Sequence, residues 1–234
     1  MPNKKIQNCG EIAWLCGIVL CSLGVCLSTR SGLGVSMIVA PAYNIYLKVS
    51  KYLPWFTLGM SQYMFQGLLI IVTTLCVRHF KLKYLLCFLT AVIHGLAVDG
   101  WRLVIGSRVA ETLPMQIFFC ATGAVATALA ISLMLRTYLP QEVYELFVKE
   151  VADKYSFSIN KTKWVFDISA LALGIVLMLV LFKEFSTQII GVGTIVLTFL
   201  NTPLITLFGR IFDKYVSFEP ALKKFYNVFE KIMD

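Results

Sequence analysis

The chain has 234 residues, of which 58% are hydrophobic and only 15% charged, with a formal net charge of +8 and a mean hydropathy of +0.77. A soluble domain carries about 25% charged residues, so a water-facing shell is excluded, and the same composition excludes disorder, collagen-like repeats and coiled coils. Lipid is the solvent that remains. The basic excess is what the cytoplasmic loops of a membrane protein supply, with no nucleic-acid partner needed.

In chain order, apolar windows at 12–29, 56–77, 84–105, 115–135, 164–182 and 187–209 predict six transmembrane helices, each needing about 20 residues. The first follows Lys4 and Lys5 and imitates a signal peptide, but no A-x-A site comes after it, so it reads as a retained helix. The seven cysteines, Cys9, Cys16, Cys21, Cys26, Cys76, Cys87 and Cys120, form no C-x-x-C pair. They read as small buried hydrophobes, with no metal, cofactor or disulfide framework expected.

Orientation follows from Lys and Arg. With the N-terminus inside, fifteen fall on the cytoplasmic side and six outside. Both termini are then cytoplasmic and the number of spans even.

Two connections are too long to be plain turns. Residues 37–49, with Tyr43, Asn44 and Tyr46, are apolar but too short to span, which predicts an interfacial or re-entrant helix. In the loop 137–163, Val143, Leu146, Phe147 and Val151 recur at helical spacing, with Glu142, Glu145, Lys149, Glu150 and Asp153 on the other face. That pattern predicts an amphipathic surface helix. The tail 213–234 repeats it with Leu222, Phe225, Phe229 and Ile232, as a cytoplasmic amphipathic segment.

A repeat emerges from these loops. Ser50-Lys51-Tyr52 has a counterpart in Asp153-Lys154-Tyr155, and Gln62…Phe65-Gln66 in Lys163…Phe166-Asp167. His94-Gly95 stands where the other half has Asn201-Thr202. The fold expected is therefore all-α: one polytopic transmembrane domain of six helices built as a 3+3 inverted repeat. Residues 12–105 and 115–212 are the copies, with amphipathic or re-entrant segments after helices 1 and 4. Transporters with this architecture hold their sites near the midplane between the copies.

Polar groups at membrane depth need a reason. His94 and Gln66 lie centrally in the third and second helices, Asn201 in the sixth, and Asp167 a turn inside the fifth. Asp99 and Arg102 are spaced i, i+3, and Lys163 and Asp167 i, i+4. Each pair reads either as an intrahelical ion pair or as part of a site, Arg102 and Lys163 then being the supporting cations. Gln62, Gln66 and Asn201 either bond across helices or contact a solute, and His94 either packs or relays protons. Gly32-Leu33-Gly34 before Ser36, and Gly191-x-Gly193-Thr194, either leave backbone N–H groups free at helix starts or allow close packing. No nucleophile-and-base arrangement for catalysis is present, so no enzyme is expected.

Ser31-Gly32-Leu33-Gly34-Val35-Ser36, Val39-Ala40-Pro41-Ala42-Tyr43, Tyr63-x-x-Gln66, Lys163-Trp164-Val165-Phe166-Asp167 and Gly191-Val192-Gly193-Thr194 resemble, in their order, the YczE/YitT-type bacterial membrane proteins. The resemblance runs from the first helix to about residue 212. It implies a bacterial inner-membrane location and a six-helix build, and no substrate. The chain departs from that pattern at Asn201-Thr202, where Asn-Gly is expected, and at Met37-Ile38, where many relatives carry Pro-Trp.

Two functions are carried forward. The first is a transporter-like protein holding a small polar or cationic solute and a proton at a midplane site of His94, Asp99, Gln66, Asp167, Asn201 and Ser36. The second is a membrane scaffold, docking a partner protein or a second copy through its amphipathic helices at 140–155 and 219–234.

Overall fold

The computed structural model describes residues 6–220 and residue 226. Eight helices and one short strand pair make up the regular structure of these residues. In order they are β1 (Ile6–Cys9), α1 (Gly10–Ser31), α2 (Ala40–Val49), α3 (Leu58–Val77), α4 (Lys83–Ile105), α5 (Leu113–Met134), α6 (Val143–Tyr155), α7 (Ile159–Phe182), α8 (Val192–Tyr215) and β2 (Val216–Glu219). Six of the helices are long and apolar enough to cross a membrane, matching the six predicted windows to within a few residues except at α7 and α8, where the structure shifts the boundaries. Their outward faces carry exposed Leu68, Ile71, Leu75, Val176 and Val180, side chains that lipid solvates as readily as a core would. The protein is a multi-pass integral membrane protein.

Local chemistry sets the ends. Thr57 accepts the Met60 N–H and Ser158 accepts the Lys161 N–H, so α3 and α7 start on side-chain caps. α1 stops at Gly32 in the left-handed conformation, φ 67°. β1 and β2 pair in parallel, Ile6 opposite Val216 through Cys9 opposite Glu219. The start of α1 and the end of α8 thus lie at the same end of the bundle, as an even number of spans requires.

α1 and α5 pack along a seam of small residues. A Cβ on Gly24 would come within 2.8 Å of the Gly123 carbonyl oxygen, so the two backbones touch there because neither carries a side chain. The glycines of the first loop and of the α7–α8 loop meet one another. Gly193 N–H donates to Leu33 O at 2.7 Å and Val35 N–H to Ile189 O at 3.1 Å, while Gly191 N–H faces the Thr194 hydroxyl. These turns serve close backbone packing; the Gly191 and Gly193 donors are taken.

The short helices position the site. Near the middle of the bundle, Ser36 O accepts the N–H groups of Val39 and Ala40 and opens the turn before α2. From there α2 runs toward the C-terminal end of α4, where the Arg102 guanidinium donates to the Tyr46 hydroxyl at 2.7 Å. α6 runs the opposite way. It ends beside the start of α4 and the end of α3, where Tyr155 donates to Cys76 O.

The surface-helix expectation for 140–155 is overturned. Val143, Tyr144, Leu146, Val148, Glu150 and Ala152 are all buried, because α6 packs on α3, α4 and α7 and so has apolar neighbours on more than one side. It leaves no free apolar face on which a partner could dock. Of the predicted tail, residues 213–215 continue α8, 216–219 form β2, and all beyond residue 220 except residue 226 lie outside the described residues.

Candidate functional site

Cys21, Gln66 and His94 sit near the midpoints of α1, α3 and α4, and all three meet at the residue that opens α6. The approach to that residue is pinned by Pro140, whose carbonyl accepts from Trp14 Nε1 at 2.9 Å and from Thr90 Oγ1 at 3.1 Å. Gln66 then completes the helix start. Its Oε1 accepts the Val143 N–H at 3.1 Å, and its Nε2 donates to Glu142 Oε2 at 3.0 Å. The first N–H groups of a helix have no partner within it, so an amide from α3 supplies one and holds Glu142 in place. Gln66, expected as a solute contact, is an anchor for the helix that carries the carboxylate.

Beyond Glu142 lies a cavity of about 60 Å3, lined by Cys21, Ser36, Gln62, His94, Glu142 and Glu145 among apolar side chains such as Val25 and Val39. At roughly 10–15 Å3 for each water, it has room for a few waters or a small ion and none for a sugar. His94 is 2% exposed. Its Nδ1 lies 3.6 Å from Glu142 Oε1, too far for a hydrogen bond, and neither ring nitrogen has a partner. Gln62 Nε2 and the Tyr144 hydroxyl are likewise buried and unpartnered. Buried polar atoms are almost always paired with protein or ordered water, so four atoms around one hollow without a protein partner call for water or a solute inside it. The Cys21 thiol, a His94 nitrogen and a Glu142 carboxylate oxygen all lie within 4.8 Å of one another.

The cavity has a neighbour. Glu145 also lines a wider space of about 290 Å3 between α5, α6, α7 and α8, together with Gln141, Lys149, Lys163, Thr202 and Thr206. Glu145 therefore stands between the central hollow and a vestibule on the side toward which α6 runs.

The remaining expected site residues are elsewhere. Asp99 accepts the Thr57 hydroxyl at 2.6 Å and the Gly59 N–H at 2.9 Å, which caps α3, and Arg102 stacks over Tyr46 with its guanidinium carbon 4.6 Å from the ring centre. Both groups bond other partners, and no ion pair joins them among the described residues. Asp167 faces Lys163 at 3.9 Å. It lines a separate cavity of about 220 Å3 with Asn160, Trp164 and Thr198, and its Oδ1 is buried without a partner. Asn201 lines neither this cavity nor the central one. The structure thus brings Ser36, Gln66 and His94 to one place and leaves Asp99, Asp167 and Asn201 apart from it. Cys21, Glu142 and Glu145 were missed. For the two carboxylates the signal is Leu146, which falls between Asp153 and Glu150 on the supposed polar face of the 140–155 helix, so that apolar residues reach nearly all round it.

Among known proteins, the chain is 24% identical over 200 residues to Uncharacterized protein YyaS of Bacillus subtilis (strain 168), covering 85% of this chain and 92% of that one. No solved structure matches it. Residues 10–210 match DUF6198, described as a family of unknown function. The chain belongs to that family.

Proposed function

We propose that this protein is a membrane carrier that binds and moves a small cation through the cavity at the start of α6, and that it catalyses no reaction. The observation that carries the reading is the Glu142 carboxylate, 7% exposed, facing a hollow with the unpartnered nitrogens of His94 and Gln62. A buried carboxylate with no Lys or Arg lining its cavity calls for a positive partner. The starts of α2 and α6 both face this space and favour anions by their dipoles, but Glu142 and Glu145 occupy the α6 end themselves. Lys149 and Lys163 line the vestibule, so an entering cation passes them before meeting Glu145.

In this reading α1–α4 and α5–α8 are inverted copies, each a long helix, a short one and two long ones. α2 and α6 leave the same cavity in opposite directions, as interrupted segments of inverted-repeat transporters do. The vestibule supports reading this as an inward-facing state, closed on the other side where the Gly193 and Leu33 backbones meet. The fifteen-to-six basic asymmetry supports a cytoplasmic vestibule and cytoplasmic termini. The likeness to the YczE/YitT-type proteins supports a bacterial inner membrane.

The test is flux into liposomes reconstituted with the full chain, using a panel of monovalent and divalent cations with a membrane-potential dye and a pH dye. Cation-dependent flux that Glu142→Gln abolishes supports the proposal. Flux for no cation, or equal flux in Glu142→Gln, sinks it.

A further inference from the structure

We infer that Cys21, His94 and Glu142 form a three-ligand site for a borderline divalent transition ion of the zinc class. This deepens the carrier reading by naming the class of cation, and it rests on that reading's cavity.

Three spatially convergent donors come from three elements: a thiol from α1, an imidazole from α4 and a carboxylate from the start of α6. Ligand atoms around a tetrahedral zinc ion stand roughly 3.3–3.8 Å apart, given metal–ligand bonds of about 2.0–2.3 Å. The His94 Nδ1 to Glu142 Oε1 separation, 3.6 Å, already falls in that range, and the full set lies within 4.8 Å. Side-chain rotation alone closes the rest.

His94 supplies the independent observation. A buried imidazole normally donates one ring N–H and accepts at the other nitrogen, yet both nitrogens here are idle. Metal-ligating histidines use one nitrogen on the ion and the other on a nearby acceptor or water, and the cavity has room for that water.

Donor chemistry chooses the ion. Calcium and magnesium take oxygen cages, whereas a sulfur, a nitrogen and an oxygen together suit zinc and its neighbours. Charge agrees as well. A thiolate and a carboxylate neutralise a dication, the thiol proton leaving to water as the ion enters, so the filled site carries no net charge at membrane depth. Three protein ligands leave a fourth position open, and an open position lets an ion exchange.

The experiment uses the purified full chain in detergent, titrated with cobalt(II) as a spectroscopic stand-in for zinc. The expected result is saturation at one equivalent, with near-ultraviolet thiolate-to-cobalt charge-transfer absorption that zinc(II) then removes. Cys21→Ser should lose the charge-transfer band while keeping the visible bands. His94→Ala should weaken binding beyond the roughly 10–100-fold that loss of an outer-shell partner brings. Cys16→Ser, at an exposed position on α1, should match the parent. Glu142→Gln, isosteric and able to keep its bond to Gln66, guards against a variant that merely fails to fold; it should melt like the parent yet bind more weakly.

No charge-transfer band in the parent, or a band that survives Cys21→Ser, overturns the site. Zinc uptake into dye-loaded proteoliposomes separates the two claims. Cobalt binding without uptake leaves the site standing and removes the carrier reading, while flux of other cations without cobalt binding does the reverse.

Discussion

The two ends of α6 treat their carboxylates in opposite ways. At the C-terminal half, Glu150 is fully engaged: Lys81 Nζ and Lys83 Nζ each lie 2.9 Å from one of its oxygens, and the Tyr84 hydroxyl donates at 2.8 Å. At the N-terminal end, Glu142 receives Gln66 and faces a histidine whose nitrogens are unpaired. One end is a closed electrostatic clamp and the other an open set of donors and acceptors. Satisfied buried networks rigidify, while unsatisfied ones persist only where something else is gained. The clamp fastens a helix that has no membrane-spanning length of its own, so that its other end can hold unpaired donors and acceptors in the bundle's centre.

Breaking the clamp should have the largest effect on stability. Glu150→Ala leaves Lys83 buried beside an empty space, and loss of one partner from a buried pair costs about 3–5 kcal/mol. A large fall in melting temperature in detergent is expected, and a fall no greater than that of Glu142→Gln would dissolve the contrast between the two ends. The same clamp sets a pH signature. Burial pushes the Glu150 carboxyl up, but the hydrogen bonds from Lys83, Lys81 and Tyr84 together outweigh it and hold it down at about 2, against an ordinary 4.5. A folded value below the unfolded one means the stabilisation is complete above the ordinary range and is lost as pH falls from about 4.5 toward 2. Parent and Glu150→Ala melting curves should therefore converge over that interval. Parallel curves would show that the clamp does not act through charge.

Tyr84→Phe sharpens the comparison at smaller scale. It removes one hydrogen bond to an ionised acceptor, worth about 1.5–3 kcal/mol, and the two lysines should hold the loss near the lower figure. The effect is read as a shift of the chemical-denaturation midpoint at constant slope.

Hydropathy made the six spans legible, because a helix in lipid must be apolar along about 20 residues whatever it packs against. Position along a helix was legible for the same reason: His94 and Gln66, read as central in the third and second helices, lie near the midpoints of α4 and α3. Neighbourhood was not. Helical periodicity places Asp99 and Asp167 on a face of their own helices but does not say which helix or cavity that face meets: Asp99 turned to Thr57 and Gly59, while Asp167 kept the i, i+4 neighbour Lys163 and faces a separate cavity. The 13 residues of α6 were misread for a related reason. A short helix with charges on one side reads alike whether its polar groups meet water or the interior of a bundle. Only the supply of partners from other elements decides it, with Gln66, Trp14 and Thr90 at one end and Lys81 and Lys83 at the other.

Glu142→Gln should change stability by less than about 1 kcal/mol, since the amide oxygen still accepts from Gln66 and a buried charge is removed rather than stranded. Its effect belongs to cation flux, where the proposed function requires a loss. A stability loss matching that of Glu150→Ala, with flux intact, would make the open end a second clamp.

The smallest stability effect is expected at Gln62, and it is the most discriminating. Gln62 is 2% exposed, and its Nε2 points at the cavity without a partner. In a packing role such a donor is a liability, so Gln62→Met, similar in volume and free of the orphan N–H, would leave stability within about 1 kcal/mol and flux untouched. If the cavity holds a hydrated ion, the amide orders its water, and the same substitution should leave the melting temperature in place while lowering apparent affinity in the liposome assay. Stability and affinity would then move independently, and that separation distinguishes a hollow kept for a solute from a flaw in the packing.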